Sequence, residues 1–127
     1  LLGLTLSSMT RENLARAAVE AELLLMSACL DAVRASGGSI SEVTLVGGGA
    51  RSRAVRELAP GVLGVPVLVP PPGEYVALGA ARQAAWVVSG ADQPPEWPLQ
   101  GVQRYTGADQ PQLRQRYAEA VRRLYGM

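Results

Sequence analysis

The chain has 127 residues, enough for one small domain with a modest core. Its 12 basic residues, all arginine, nearly balance 11 acidic ones, so no overall field points to nucleic acid or to a membrane surface. With no lysine, no histidine and a single cysteine, the composition excludes a phosphate-loop lysine, a Schiff-base amine, a histidine-activated nucleophile and a thiolate zinc site. Any catalysis would have to rest on carboxylates, arginines or backbone, and the carboxylates are spread with no paired D-x-D cluster. No apolar run approaches the roughly 18–20 residues that span a membrane, and no basic segment precedes an apolar one at the start. Cys29 lies among apolar residues and is expected to be a small core residue in a reducing, cytoplasmic setting. The Leu-Leu-Gly opening, without Met, suggests a piece of a longer protein.

In chain order, Leu1 to Ser8 alternates loosely and reads as the tail of a strand. Thr10 is a good N-cap, and Glu12 adds negative charge to the first turn of a helix predicted over Arg11 to Ser36. Leu14, Ala18, Ala21, Leu25, Ala28 and Ala32 recur at helical spacing, with Ala17, Leu24 and Val33 widening the apolar face. Gly37-Gly38 should stop this helix. Val43 to Val46 reads as a buried strand, and Ser52 to Leu63 as a crossover helix capped by Ser52. Pro60-Gly61 falls inside that pattern, and proline both removes a donor and clashes one turn back, so an end or kink is expected near Leu58–Ala59. Val65 to Val69 reads as the next strand, which makes a right-handed parallel βαβ unit.

Pro70-Pro71-Pro72-Gly73 is a stiff loop leading to a third helix, Glu74 to Ser89, closed by Gly90. Ala77, Gly79, Ala80, Ala81 and Ala84 give it a small-residue face suited to tight packing. Ala91 to Gln103 reads as a surface linker. Asp109 is expected to cap a last helix, Pro111 to Tyr125, with Leu113, Tyr117, Ala120, Val121 and Leu124 on its apolar face. Arg114, Arg116, Arg122 and Arg123 on that helix read as a solvated face rather than a nucleic-acid patch.

The stretch that organises the rest is Val43 to Ser52, VTLVGGGARS. A strand running through a glycine turn into a serine-capped helix presents open backbone and a helix N-terminus at one edge of a sheet, where α/β sheets bind nucleotides. The glycines fit neither G-x-G-x-x-G nor the lysine-bearing phosphate loop. Two readings stay open on these residues alone: a tight turn that needs positive φ, or a surface for a nucleoside.

VTLVGGGARS, with EYVALGAARQA from Glu74 to Ala84 after it, resembles the C-terminal domain of the FGGY carbohydrate kinases, with the closest likeness to the xylulose kinases. GLTLSSMTRENLARAAVEA (Gly3 to Ala21) is similar to that family's stretch ahead of the turn, and YTGADQPQLRQRYAEAVRRLY (Tyr105 to Tyr125) to its terminal helix. The resemblance implies an α/β fold, part of a ribonuclease-H-like, actin-type ATPase domain. It divides the chain into a kinase-domain portion (1–90), a Pro-rich linker (91–108) and a C-terminal amphipathic helix (109–127). It also implies an adenosine site at Gly47, Gly48, Gly49 and Ala50, with Ser52 hydrogen-bonding the base or ribose, and Arg51 either stacking on the base or facing water. The Ala77–Ala81 segment resembles a connecting helix that packs at the domain hinge.

The resemblance implies the C-terminal portion of a kinase that phosphorylates D-xylulose with ATP and Mg. The phosphate hairpin, sugar pocket, magnesium ligands and catalytic base of the family match no residue here, so the portion alone is expected to be inactive. Two departures stand out: Ala21 replaces a glycine usual after Glu20, and Pro60-Gly61 replaces a helical Ala-Asp. The alternatives are a non-catalytic interaction module, or another FGGY kinase for glycerol, gluconate or a different pentulose. An uncovered sheet edge and apolar helix face lead us to expect a homodimer when the chain is alone.

Overall fold

The structure, a computed structural model, describes residues 3–126. It is α/β. Helix α1 (Arg11–Ala35) precedes strand β1 (Val43–Thr44), helix α2 (Arg53–Leu63), strand β2 (Val67–Val69), helix α3 (Tyr75–Ser89), strand β3 (Gln103–Tyr105) and helix α4 (Pro111–Tyr125). The sheet runs β1-β2-β3, with β1 parallel to β2 and β3 antiparallel to it. Val43 faces Val67 across the parallel pair, which is the expected βαβ unit.

Local chemistry explains most boundaries. The Thr10 hydroxyl accepts from the Asn13 N–H at 3.2 Å and starts α1. Gly37, at φ 90°, ends it, with Ser36 as the C-cap. Pro66 has no N–H to give the ladder, so β2 begins one residue later, while its carbonyl accepts from Val43 at 3.0 Å. β1 is shorter than expected because Val46 turns outward before Gly47; Leu45 still donates to Leu68 at 2.8 Å.

The core lies between α1, α2 and the sheet. Leu23, Val62, Leu63 and Val67 are its largest fully buried side chains, with Leu24, Leu45, Val55, Ala59 and Val69 around them. Burial of each large aliphatic contributes about 1.5–3 kcal/mol.

Several expectations are corrected. Residues 3–8 form a turn in which Ser8 donates to the Thr5 carbonyl at 3.1 Å, not a strand tail; Leu1 and Leu2 lie outside the described residues. The buried stripe of α1 is Leu23, Leu24 and Ser27, flanked by Val19 and Leu30, while Leu14, Ala18, Ala21, Leu25, Ala28 and Ala32 are exposed. The helix is apolar on more than one face, and α2 covers only one of them. Cys29 falls on the uncovered side and is exposed, not in the core.

α2 does not stop before Pro60; it continues to Leu63 and ends at Gly64, φ 70°. Pro60 and Gly61 are buried where the segment before α4 crosses them. The Gly61 carbonyl accepts from the Gln110 N–H at 3.0 Å, and Arg114 donates to the Val62 carbonyl at 3.1 Å. Asp109 is not the cap of α4, a position held by Gln110 without a side-chain bond. Asp109 instead grips Arg114 through two contacts, at 2.6 and 3.1 Å, and that guanidinium holds its carboxyl below the usual carboxylate range. β3 lies inside the expected linker, whose remainder is tied to α3 by Arg82 donating to the Pro95 carbonyl and Trp86 to the Ala91 carbonyl, both at 2.7 Å.

A methyl at Gly61 would sit 2.8 Å from the Gln110 side-chain Nε2 and 2.9 Å from the Ala108 backbone carbonyl oxygen. Backbone cannot yield there without moving the whole segment. Gly61→Ala is therefore expected to lower stability by about 1–3 kcal/mol, read from the urea midpoint. An unchanged midpoint would mean that the segment does not seat on α2.

Candidate functional site

Because β1 and β2 are parallel, their carboxyl ends share one edge of the sheet. The glycine turn leaves from one and the proline loop from the other, and a cavity of about 540 Å3 opens between them. That volume falls within the range of small-molecule sites. One wall is Leu45 to Gly48 with Ala50 and Arg51; the other is Val69 to Glu74 with Tyr75, whose hydroxyl donates to the Pro71 carbonyl. Arg56 of α2 and Gln103 of β3 complete the lining together with Gly101.

The turn itself has three different glycines. Gly47 sits at φ 92°, a conformation that side chains rarely adopt, and redirects the chain away from β1. Gly48 is at φ −62° and ψ −40°, ordinary right-handed geometry, and a Cβ added there or at Gly49 would meet nothing within 4 Å. Gly49, Ala50 and Arg51 then form a single 3-10 turn. Ser52 caps α2, its hydroxyl accepting from the Val55 N–H at 3.4 Å.

Of the residues expected at the site, Gly47, Gly48 and Ala50 line the cavity. Gly49 and Ser52 stand next to it in the same turn, with the Ser52 hydroxyl committed to the helix cap. Arg51 is exposed and lines the mouth. The proline loop, Arg56 and Gln103 are site residues that the sequence motifs do not mark. Parallel strands bring their carboxyl ends together, so the loop after Val69 is recoverable from topology. Arg56 and Gln103 depend on how α2 and β3 pack.

The C-terminal domain of the FGGY family of carbohydrate kinases matches residues 1–88. The chain belongs to this family. A solved xylulose kinase from Bifidobacterium adolescentis superposes with a TM-score of 0.78 at 51% identity, over 93% of this chain and 23% of that one. The xylulose kinase of Haemophilus influenzae is 40% identical over 86 residues, 68% of this chain and 17% of that protein. The glycerol kinase of Dechloromonas aromatica is 39% identical over 89 residues, 69% of this chain and 18% of that protein. The chain thus spans less than a fifth of these two curated relatives. The FGGY membership and the superposition bear out the expected α/β, actin-type fold.

Proposed function

We propose that this chain supplies the adenosine side of an ATP- and Mg-dependent kinase that phosphorylates D-xylulose. When bound, ATP supplies the γ-phosphoryl group for a sugar hydroxyl. The residues of this chain hold the other end of the nucleotide: Gly47, Gly48, Gly49 and Ala50 offer bare backbone to the base and ribose, and Ser52 fixes the start of α2 beneath them. The observation that carries this reading is Gly48. Neither its backbone angles nor any neighbour requires glycine, yet it lines the cavity, with open space where a Cβ would go. A ligand lying against the backbone accounts for that.

We assign no magnesium ligand and no catalytic base to this chain; phosphoryl transfer rests on positioning and charge neutralisation that the remaining polypeptide would provide. Helix α3 fits the same picture. None of its residues is buried, and Val76 and Val88 are both 87% exposed. A helix apolar on most sides belongs against other protein. In the whole kinase we assign that cover to the rest of the polypeptide; in the isolated chain the same surface would draw copies together. No described helix is long and apolar enough to cross a membrane, and we place the enzyme in the cytoplasm.

The near-equal identity to a glycerol kinase supports a second reading, in which glycerol replaces D-xylulose as acceptor. The test is ADP release by the full-length enzyme with each acceptor. Turnover of about 1–1000 per second on D-xylulose is expected. Turnover on glycerol alone would transfer the assignment to the second reading, and none on any polyol would overturn both.

A further inference from the structure

We propose that Arg56 is a nucleoside-binding residue of this cavity, donating from its guanidinium to acceptor atoms of the bound nucleoside while the ring of Tyr105 holds it in place. The inference rests on the reading of the cavity as the adenosine site. Arg56 is half-buried on α2 and lines the cavity. Its guanidinium carbon stands 5.9 Å from the centre of the Tyr105 ring, within stacking range. Its Nε is buried and meets no hydrogen-bond partner among the described residues, which leaves the outer guanidinium nitrogens to reach a ligand.

The neighbouring arginines are treated differently. Arg53, one turn earlier on the same helix, is held by Glu57 at 2.7 Å, and Arg104, beside Tyr105 in β3, by Glu42 at 2.7 Å. Glu57, the residue next to Arg56, thus turns to Arg53 instead. Arg56 takes part in none of the ion pairs found among the described residues. A guanidinium presents donors only and no acceptor. Fixed on an aromatic face at a cavity wall, without an ion-pair partner among the described residues, it is suited to a ligand that brings acceptors. The ring nitrogens of a purine and the oxygens of ribose have that chemistry.

The test is direct calorimetric titration of the full-length kinase with ATP and, separately, with adenosine. Arg56→Met is expected to raise both dissociation constants by about tenfold or more, the scale of a lost charge-assisted hydrogen bond. Arg56→Lys, which keeps charge and stem but loses the planar fork, should fall between, and serves if the Met variant does not fold. Tyr105→Leu should weaken both ligands by about two- to fivefold, and Tyr105→Phe, which keeps the ring, should restore them. Gly48→Val is the control for the cavity. If Gly48→Val weakens binding and folded Arg56 variants do not, the proposal fails while the adenosine site stands. A loss confined to ATP, with adenosine unaltered, overturns it in favour of a phosphate contact. If neither Gly48→Val nor the Arg56 variants alter binding, the cavity is not the nucleotide site and the proposal falls with it.

Discussion

A full-length Gly48→Val enzyme is expected to need at least about tenfold more ATP for half-saturation, with the KM for sugar little changed. The factor is modest in energy, about 1.4 kcal/mol, but its direction separates two accounts of the turn. If glycine were there only to relieve the backbone, valine would lower stability and leave the kinetics of the folded enzyme alone. That account applies to Gly47, at φ 92°. Gly47→Ala is expected to cost about 1–3 kcal/mol as strain. Gly48 has right-handed angles and open space where a Cβ would go. Its valine variant should therefore unfold within about 0.5 kcal/mol of the parent, as surface changes do. The check is both Michaelis constants together with the urea midpoint. An unaltered ATP constant in a well-folded Gly48→Val enzyme would remove the adenosine assignment.

The larger effect on stability is expected at Leu63. It is 1% exposed, closes α2, and belongs to the same cluster as Leu23, Val62 and Val67. Leu63→Ala should cost about 2–5 kcal/mol, through lost burial and the cavity left behind. That is a large part of the roughly 5–15 kcal/mol typical of a folded domain. Leu6, 93% exposed in the turn before α1, is the comparison: Leu6→Ala should change the stability of the 127-residue chain by less than about 0.5 kcal/mol. Chemical unfolding of both variants tests the ranking. Equal costs at the two positions would contradict the packing described.

The range of each interaction decides which features are readable from sequence. Thr10, Ser52, Gly37 and Gly90 act on neighbours within one turn, so cap and stop chemistry is visible locally. The parallel pair is visible too, as two valine-rich runs separated by a helix. The end expected before Pro60 does not occur, and the segment that packs on Gly61 lies almost fifty residues downstream, outside any local reading. Asp109 misleads for a related reason: Arg114, a stronger partner than a backbone amide, takes its carboxylate. β3 is three polar or aromatic residues with no alternation to detect, and it exists because β2 offers an edge. The exposed stripe of α1 cannot be told from the buried one without knowing where α2 lies. At the site, the glycine turn is legible as a motif, whereas its opposite wall and Arg56 emerge only when the elements are assembled.

Helix α3 begins at the cavity and ends far from it. Tyr75, its first residue, lines the cavity with Gly73 and Glu74, while the remaining length packs on no other helix or strand of the chain through any buried residue. Its 15 residues span about 22 Å. A tilt of about 10° at the Pro70–Gly73 loop would carry the Gly90 end through roughly 4 Å, since a helix of this length moves as a rod. α3 is in that sense a lever with its fulcrum at the cavity rim. Arg82 and Trp86 strap the start of the following loop to it, at Pro95 and Ala91, while the end of that loop is held in β3. The 15-residue length of the arm therefore fixes how far the Gly90 end moves for a given tilt at the loop.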